Sequence, residues 1–208
     1  MQSEYTVFET TIGACSIAWC ESAGGHHAVV FFQLPEATAE LTESRIAKKS
    51  SAEKSAHPPQ AISALLERIR KHLSGQLQDF RDVPVDLSGT APFARRVLEA
   101  TREIYPGETK TYGELARTAG RPGAARAVGR IMGSNPVPLI VPCHRVVAAG
   151  GKSGGFSAPG GRMTKAELLA IERSGPQLLF GNIARSLRSE PPLRHASRAG
   201  RKSLKRSV

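Results

Sequence analysis

The sequence predicts an α/β fold of the α+β type, in which a small domain of β-sheet plus helix precedes a helical, helix-turn-helix domain. Apolar and polar residues alternate between Tyr5 and Leu34, as they do in half-buried strands. After residue 89 the apolar residues recur every three or four positions, which is typical of one buried helix face. The expected domains are 1–89, 90–175 and a basic, disordered tail at 176–208.

The N-terminal domain is predicted to contain paired strands, a loop and a helix. The stretches "YTVFETTIGACSIAW" and "HHAVVFFQL" flank a turn at Gly24-Gly25 and predict a β-hairpin or meander. Residues 42–60 are polar and predict a surface loop. A helix should follow, because five apolar residues keep the spacing of one buried face: Ile62, Leu65, Leu66, Ile69 and Leu73.

A linker and an amphipathic helix are predicted next. In "DVPVDLSGT" Pro84 and Gly89 interrupt regular structure, so the domain boundary is placed near residue 89. One helix, closed by Pro106-Gly107, should then bury Phe93, Val97, Leu98 and Ile104.

Two short helices separated by a glycine-containing turn are predicted between residues 111 and 133. Thr111 and Glu114 form an S/T-x-x-E capping box, which begins a helix at Tyr112. "AGRPG" predicts a tight turn, and a second helix should run from about 123 to 133. This is the pattern of a helix-turn-helix, although ordinary helical hairpins share it.

The surface of the second helix is nearly bare of side chains. Ala124, Ala125 and Ala127 are small, whereas Arg126 and Arg130 project from the helix. Without Asn or Gln for bidentate base contacts, such a helix suits binding to DNA through shape and phosphates. Close packing against another helix is the alternative explanation.

Charge and composition narrow the class of protein. The formal net charge is +11, and residues 174–208 contain eight Lys or Arg against one acid. Such an excess favours a polyanionic partner, although a solvated tail without a partner would look the same. No secretory signal or membrane-spanning apolar run is evident, and three irregularly spaced cysteines make no disulfide framework. We therefore expect a cytoplasmic protein without membrane contact.

One cysteine has neighbours suited to nucleophilic chemistry. In "LIVPCHRVV" Cys143 precedes His144, which could take the thiol proton directly or through a water. An acid usually orients such a histidine. Glu167 and Glu172 of the C-terminal "TKAELLAIERSG" are the two candidates, and spacing does not choose between them.

Metal binding is the competing use of the cysteines. Cys20 with His26 or His27, and Cys15 as a third ligand, could surround zinc. The paired CxxC spacing typical of zinc sites is missing, so we expect no metal and no cofactor.

Three sequence blocks stand in order between about Phe93 and Gly175: "TYGELA…GAARAVG", "NPVPLIVPCHRVV" and "GGFSAPGG…TKAELLAIE". Together they resemble the O6-alkylguanine-DNA alkyltransferases, also called methylated-DNA–protein-cysteine methyltransferases. The resemblance implies a winged-helix-like C-terminal domain that carries the active cysteine. Residues 1–88 fit the family's N-terminal domain more loosely, and the tail lies outside the resemblance.

The resemblance implies a single-turnover methyltransferase that repairs DNA. Cys143 would accept the alkyl group from O6 of guanine, and possible substrates extend to O4 of thymine. His144 would remove the thiol proton through a water, and Glu172 would orient His144. Asn135 would tie the recognition helix to the cysteine segment, and Tyr112 would donate a hydrogen bond to the leaving guanine.

The resemblance also implies how the lesion is reached. The protein would act as a monomer on double-stranded DNA, approach the minor groove and flip out the nucleotide, while Arg126 fills the gap in the stack. In a bacterium it would be nucleoid-associated. The pocket would be lined by Pro138, the Val146 backbone, Phe156 and Ser157, with Phe156 where the family has a tyrosine.

Other functions stay open on the sequence alone. A non-enzymatic lesion-binding protein of the same fold would flag damage without an acceptor cysteine. A cysteine hydrolase would use Cys143, His144 and Glu172 on esters or amides with turnover. A basic DNA-binding module would keep all function without the Cys143 thiol.

Overall fold

Three N-terminal strands form the predicted meander. The computed structural model describes residues 3–21, 24–151 and 165–174. Strands β1 (Ser3–Phe8), β2 (Cys15–Glu21) and β3 (His27–Gln33) pair antiparallel in sequence order. Gly25, with φ of 75°, supplies the left-handed backbone of the turn between β2 and β3, which confirms the turn predicted at Gly24-Gly25.

The loop predicted for residues 42–60 is partly wrong, because a helix and a short strand occupy most of residues 42–54. Helix α1 (Ala39–Ser50) is capped by the Thr38 hydroxyl, and β4 (Glu53–Lys54) pairs parallel with β1. Only Thr42 and Ile46 of α1 are fully buried, four residues apart, so the helix offers little apolar periodicity. Ile46 packs on Tyr5 and Ala18, and α1 thereby covers one face of the sheet.

Helix α2 (Gln60–Leu73) confirms the predicted buried face and adds a polar residue to it. All five predicted apolar positions are buried, and they join the main core on the other face of the sheet. His72, one residue before the end of α2, is also fully buried. The core that receives it includes residues from the C-terminal helices.

The predicted linker runs along the edge of the sheet. The Val29 amide donates to the Pro84 carbonyl at 2.9 Å, and the Asp86 amide donates to the Val29 carbonyl at 2.9 Å. All described residues fall within one compact unit, 1–176. The domain boundary near residue 89 therefore stays a prediction made from composition.

Helix α3 (Pro92–Arg102) is shorter than its apolar pattern predicts. Val97 and Leu98 are buried on it, whereas Ile104 is buried beyond its end. Residues that precede a proline disfavour the helical region, and Pro106 follows closely. Ile104 thus joins the core from an irregular segment.

The paired helices are confirmed, with one change of boundary. Helix α4 (Tyr112–Thr118) begins at a complete capping box of Thr111 and Glu114. Helix α5 (Ala125–Gly133) begins two residues later than predicted, because Gly123 has φ of 84°, which no helix accommodates. Ala124 is consequently the N-terminal capping residue of α5.

The cysteine segment lies between α5 and the last helix. A single 3-10 turn spans Cys143–Arg145, and β6 (Val146–Val147) pairs parallel with β5 (Lys110–Thr111). Helix α6 (Lys165–Ser174) closes the described part of the chain. No helix in the described ranges combines the length and apolar character needed to cross a membrane.

Candidate active site

Cys143 lies in the wall of a cavity of about 840 Å³ beside the paired helices. Residues of α4 and α5 line this cavity together with the segment after β6, among them Tyr112, Arg117, Arg126, Met132 and Ala148. The cysteine is itself only 6% exposed. Cys143 therefore borders a space that a small group can enter, while the residue itself is almost fully shielded from solvent.

Asn135 fixes the path of the chain that leads to the cysteine. Its Nδ2 donates to the Val141 carbonyl at 2.8 Å, and its Oδ1 accepts from the Val137 amide at 3.1 Å. The Cys143 amide donates to the same Val141 carbonyl at 2.8 Å. Because Asn135 lies two residues after α5, these bonds join the end of that helix to the cysteine segment, as the resemblance implies.

Burial raises the pKa of the Cys143 thiol, which is therefore protonated at neutral pH. A hydrogen bond from Asn135 and the positive charge of Lys165 oppose this effect without cancelling it. The thiol consequently needs a base before it can act as a nucleophile.

His144 is placed to be that base. Its Nε2 lies 2.9 Å from Glu172 Oε1, and because the carboxylate only accepts, Nε2 carries the proton. Nδ1 is buried and has no hydrogen-bond partner among the described residues. Burial lowers the pKa of His144 despite the opposing effect of Glu172, so the ring is neutral and Nδ1 can accept a proton.

Glu172 is the carboxylate that contacts His144. It is 2% exposed on α6, whereas Glu167 lies on the exposed face of the same helix. Burial alone would raise the pKa of Glu172, but hydrogen bonds from His144 and Arg145, together with the contact from His72, hold it far below its usual range. The carboxylate is therefore ionised throughout the physiological range.

Sequence reasoning missed Arg145, which makes most of the contacts to Glu172. Its Nη2 donates to Oε1 at 2.7 Å, and its Nε lies 3.1 Å from each carboxylate oxygen. Arg145 also donates to the Ile104 carbonyl. The sequence feature that could have identified Arg145 is its position directly after His144 in "PCHRVV". A charged side chain buried there needs a buried partner of opposite charge.

Sequence reasoning also missed His72 and Lys165. His72 Nε2 lies 3.2 Å from Glu172 Oε1, in an oblique contact rather than a linear hydrogen bond. Lys165 is 3% exposed, donates to the Val146 carbonyl and lies 5.6 Å from the centre of the Tyr112 ring. The sequence feature that could have identified His72 is its position on the apolar face of α2.

Tyr112 lines the same cavity as Cys143. It is the first residue of α4, and the capping box before it fixes where that helix begins. Burial, and then the nearby Cys143, raise the pKa of its hydroxyl. Tyr112 is thus a phenol that keeps its proton and can donate a hydrogen bond into the cavity.

Helix α5 presents small residues and one arginine at the cavity rim. Ala124, Ala125 and Ala127 are half-buried, whereas Arg126 is exposed. Ala125 and Arg126 both line the cavity. The arrangement matches the bare helix surface predicted from the sequence.

The four residues predicted to line the pocket are not all found at the cavity. Pro138 is half-buried, and Val146 is fully buried with its carbonyl bonded to Lys165. Among the described residues, neither belongs to the lining of the cavity. Phe156 and Ser157 lie outside the described residues, so the pocket prediction as a whole stays a prediction.

The zinc alternative meets a geometric obstacle. Cys15 and Cys20 are five positions apart in β2, and side chains at odd separations lie on opposite faces of a strand. Cys15 is buried in the main core beside Ile17 and Trp19. In the described part of the chain, no three His, Cys, Asp or Glu side chains are grouped to hold a metal ion.

Comparison with known proteins identifies a family. Residues 92–174 match the family described as "6-O-methylguanine DNA methyltransferase, DNA binding domain". A methylated-DNA–protein-cysteine methyltransferase of Mycolicibacterium paratuberculosis is 46% identical over 115 residues, which cover 55% of this chain and 67% of the relative. One from Shigella flexneri is 36% identical over 153 residues, covering 74% and 86%.

Solved structures agree with the sequence relatives. The crystal structure of OGT from Mycobacterium tuberculosis in complex with DNA superposes with a TM-score of 0.64 at 34% identity. The match covers 82% of this chain and 93% of that one, so it extends over both the sheet and the helical region.

Proposed function

The chain belongs to the 6-O-methylguanine DNA methyltransferase family, and we propose that it removes alkyl groups from O6 of guanine in DNA by irreversible, stoichiometric transfer to Cys143. It is a DNA-repair methyltransferase in which one protein molecule is consumed for each lesion. The observation that carries this proposal is a cysteine in the cavity wall whose neighbour in the chain, His144, is hydrogen-bonded to the buried Glu172.

The first step is formation of the thiolate. The Cys143 proton passes through a bridging water to Nδ1 of His144, whose Nε2–H remains bonded to Glu172. The ionised carboxylate stabilises the resulting imidazolium, and the charge of Lys165 favours the thiolate. Burial of the thiol and of His144 opposes this charge separation, whereas Glu172 and Lys165 favour it, and their charges act more strongly where water is excluded.

The second step is displacement at the alkyl carbon. Cys143 Sγ forms a bond to that carbon while the bond between the carbon and O6 of guanine breaks. The electron pair of the broken bond stays on the guanine, which accepts a hydrogen bond from the Tyr112 hydroxyl and then gains one proton, in balance with the one that the thiol gave to His144. Ordinary guanine remains in the DNA, and a thioether remains on Cys143.

DNA is the partner that the surface around the cavity favours. Base flipping must bring the lesion out of the stack, at a cost of a few kcal/mol. The small residues of α5 permit close approach to the minor groove, and the exposed Arg126 can fill the vacated space. Specificity for O6-alkylguanine, a monomeric state and a cytoplasmic, nucleoid-associated location belong to the same proposal.

The lesion-binding alternative has less support than alkyl transfer. A protein that only flags damage has no need of an acceptor thiol with a base and carboxylate behind it. A hydrolase would use the same three groups but would have no need of Arg126 beside the cavity.

Intact-protein mass spectrometry tests the proposal. The protein is incubated with a duplex that contains one O6-methylguanine, in parallel with Cys143→Ala. We expect the wild-type mass to increase by one methyl in place of one hydrogen, and the variant mass to stay unchanged. Tight lesion binding without any mass gain would overturn alkyl transfer in favour of damage flagging.

A further inference from the structure

We propose that His72, which the N-terminal part of the chain supplies through α2, is a positioning residue that holds Glu172 in the geometry that activates His144. The inference rests on the proposed function, since it concerns the activation of Cys143. This role would make α2, a helix of the N-terminal part of the chain, contribute to the chemistry of the helical domain.

The tautomer of His72 is fixed by its neighbours. Nδ1 accepts the Gln78 amide at 3.1 Å, so Nδ1 carries no proton and Nε2 carries the one proton of the neutral ring. The ring is fully buried and packs against Phe80, with the two ring centres 5.3 Å apart. The side chain therefore has little freedom to turn away from Glu172.

His72 Nε2 lies in oblique contact with the carboxylate oxygen to which His144 is bonded. His72 Nε2 and His144 Nε2 lie 3.2 Å and 2.9 Å from the same Glu172 Oε1. The carboxylate is thus held from two sides, by α2 and by the Cys143–Arg145 turn. A side chain that holds a carboxylate in place also fixes the orientation of the histidine that is bonded to that carboxylate.

His72 also limits how strongly Glu172 attracts the His144 proton. Every donor to Oε1 spreads the charge of the carboxylate and makes it less basic. Among the described residues, the charged or titratable groups that face Glu172 are His72 from α2 and His144 and Arg145 from the turn. Loss of His72 would therefore make His144 easier to protonate and less often available as a base.

Two substitutions separate the two contacts of His72. In His72→Asn, the side-chain oxygen can replace Nδ1 as acceptor for Gln78, but the side chain no longer reaches Glu172. In His72→Gln, the amide nitrogen can replace Nε2 toward Glu172, while the bond to Gln78 is lost. Lys71→Gln, at the exposed neighbouring position, is the matched control.

The test is the single-turnover rate of methyl transfer from an O6-methylguanine duplex, measured as a function of pH. Urea unfolding at the temperature of the assay first establishes that each variant is folded there. We expect His72→Asn to be about 10-fold slower, equivalent to about 1.4 kcal/mol, with the acid limb of its profile moved to higher pH. His72→Gln should recover most of the rate, and Lys71→Gln should match wild type.

The inference is wrong if His72→Asn reacts at the wild-type rate with an unchanged pH profile. It is equally wrong if both His72 variants slow only in proportion to their loss of stability, because that marks a purely structural role. Failure of the wild-type protein to transfer methyl at all would instead overturn the proposed function.

Discussion

Replacement of Glu172 by Gln should destabilise the fold as well as stop the chemistry. The substitution keeps the shape of the side chain but removes the charge that Arg145, His144 and His72 contact. Arg145 is almost fully buried and would then lack an ionised partner. Breaking a buried pair in this way costs about 3 to 5 kcal/mol, a large part of the roughly 5 to 15 kcal/mol that stabilises a typical domain.

The loss should depend on pH in a defined direction. The pKa of Glu172 in the folded protein is far below its usual value, so its contribution to stability is present above that usual value, about 4.3, and is lost as the pH falls below it. The difference in stability between wild type and Glu172→Gln should therefore shrink below about pH 4, where the unfolded wild type gains a proton.

Urea unfolding measures this effect directly. Trp19 is the sole tryptophan and is buried in β2, so its fluorescence reports on unfolding. Glu167→Gln, on the exposed face of the same helix, is the control and should change stability by no more than about 0.5 kcal/mol. If Glu172→Gln loses no more stability than this control at pH 7, the buried cluster does not hold the fold as described.

Three further predictions concern the base, the DNA contact and the tail. His144→Gln keeps an amide nitrogen toward Glu172 but loses the acceptor at Nδ1, so single-turnover transfer should slow by about 100- to 10,000-fold. A rate within about 3-fold of wild type, on the order of experimental scatter, would exclude His144 as the base. Arg126→Ala should slow transfer from a damaged duplex, while transfer from the free O6-methylguanine base and the free energy of unfolding stay unchanged. Equal losses of rate on the two substrates would contradict the role of Arg126 in base flipping. Deletion of residues 176–208 should flatten the dependence of DNA affinity on salt without abolishing transfer, because fewer cations would displace counterions, and an unchanged slope would show that the tail contacts no phosphate.

Local signals in the sequence predicted much of the fold. The apolar spacing in α2 and the capping box at Thr111 and Glu114 each fix an element through neighbours a few residues away. Helix α1 was missed because its buried face has only Thr42 and Ile46, and the sheet beneath it, rather than its own periodicity, stabilises it.

The active site was predictable only in part, because its contacts join distant parts of the chain. The sequence could name Cys143 and His144 as neighbours, but spacing did not choose between Glu167 and Glu172. That choice depends on how α6 packs, and the resemblance anticipated it. His72 stands 100 positions before Glu172 and looked like one more member of an apolar helix face.

The most direct test of the account is a titration with a duplex whose O6-methylguanine carries a deuterated methyl group. We predict that label appears on the Cys143 peptide alone, rises to one group for each protein molecule and equals the guanine formed. Label on another residue, or guanine formed in excess of protein, would contradict irreversible transfer to Cys143.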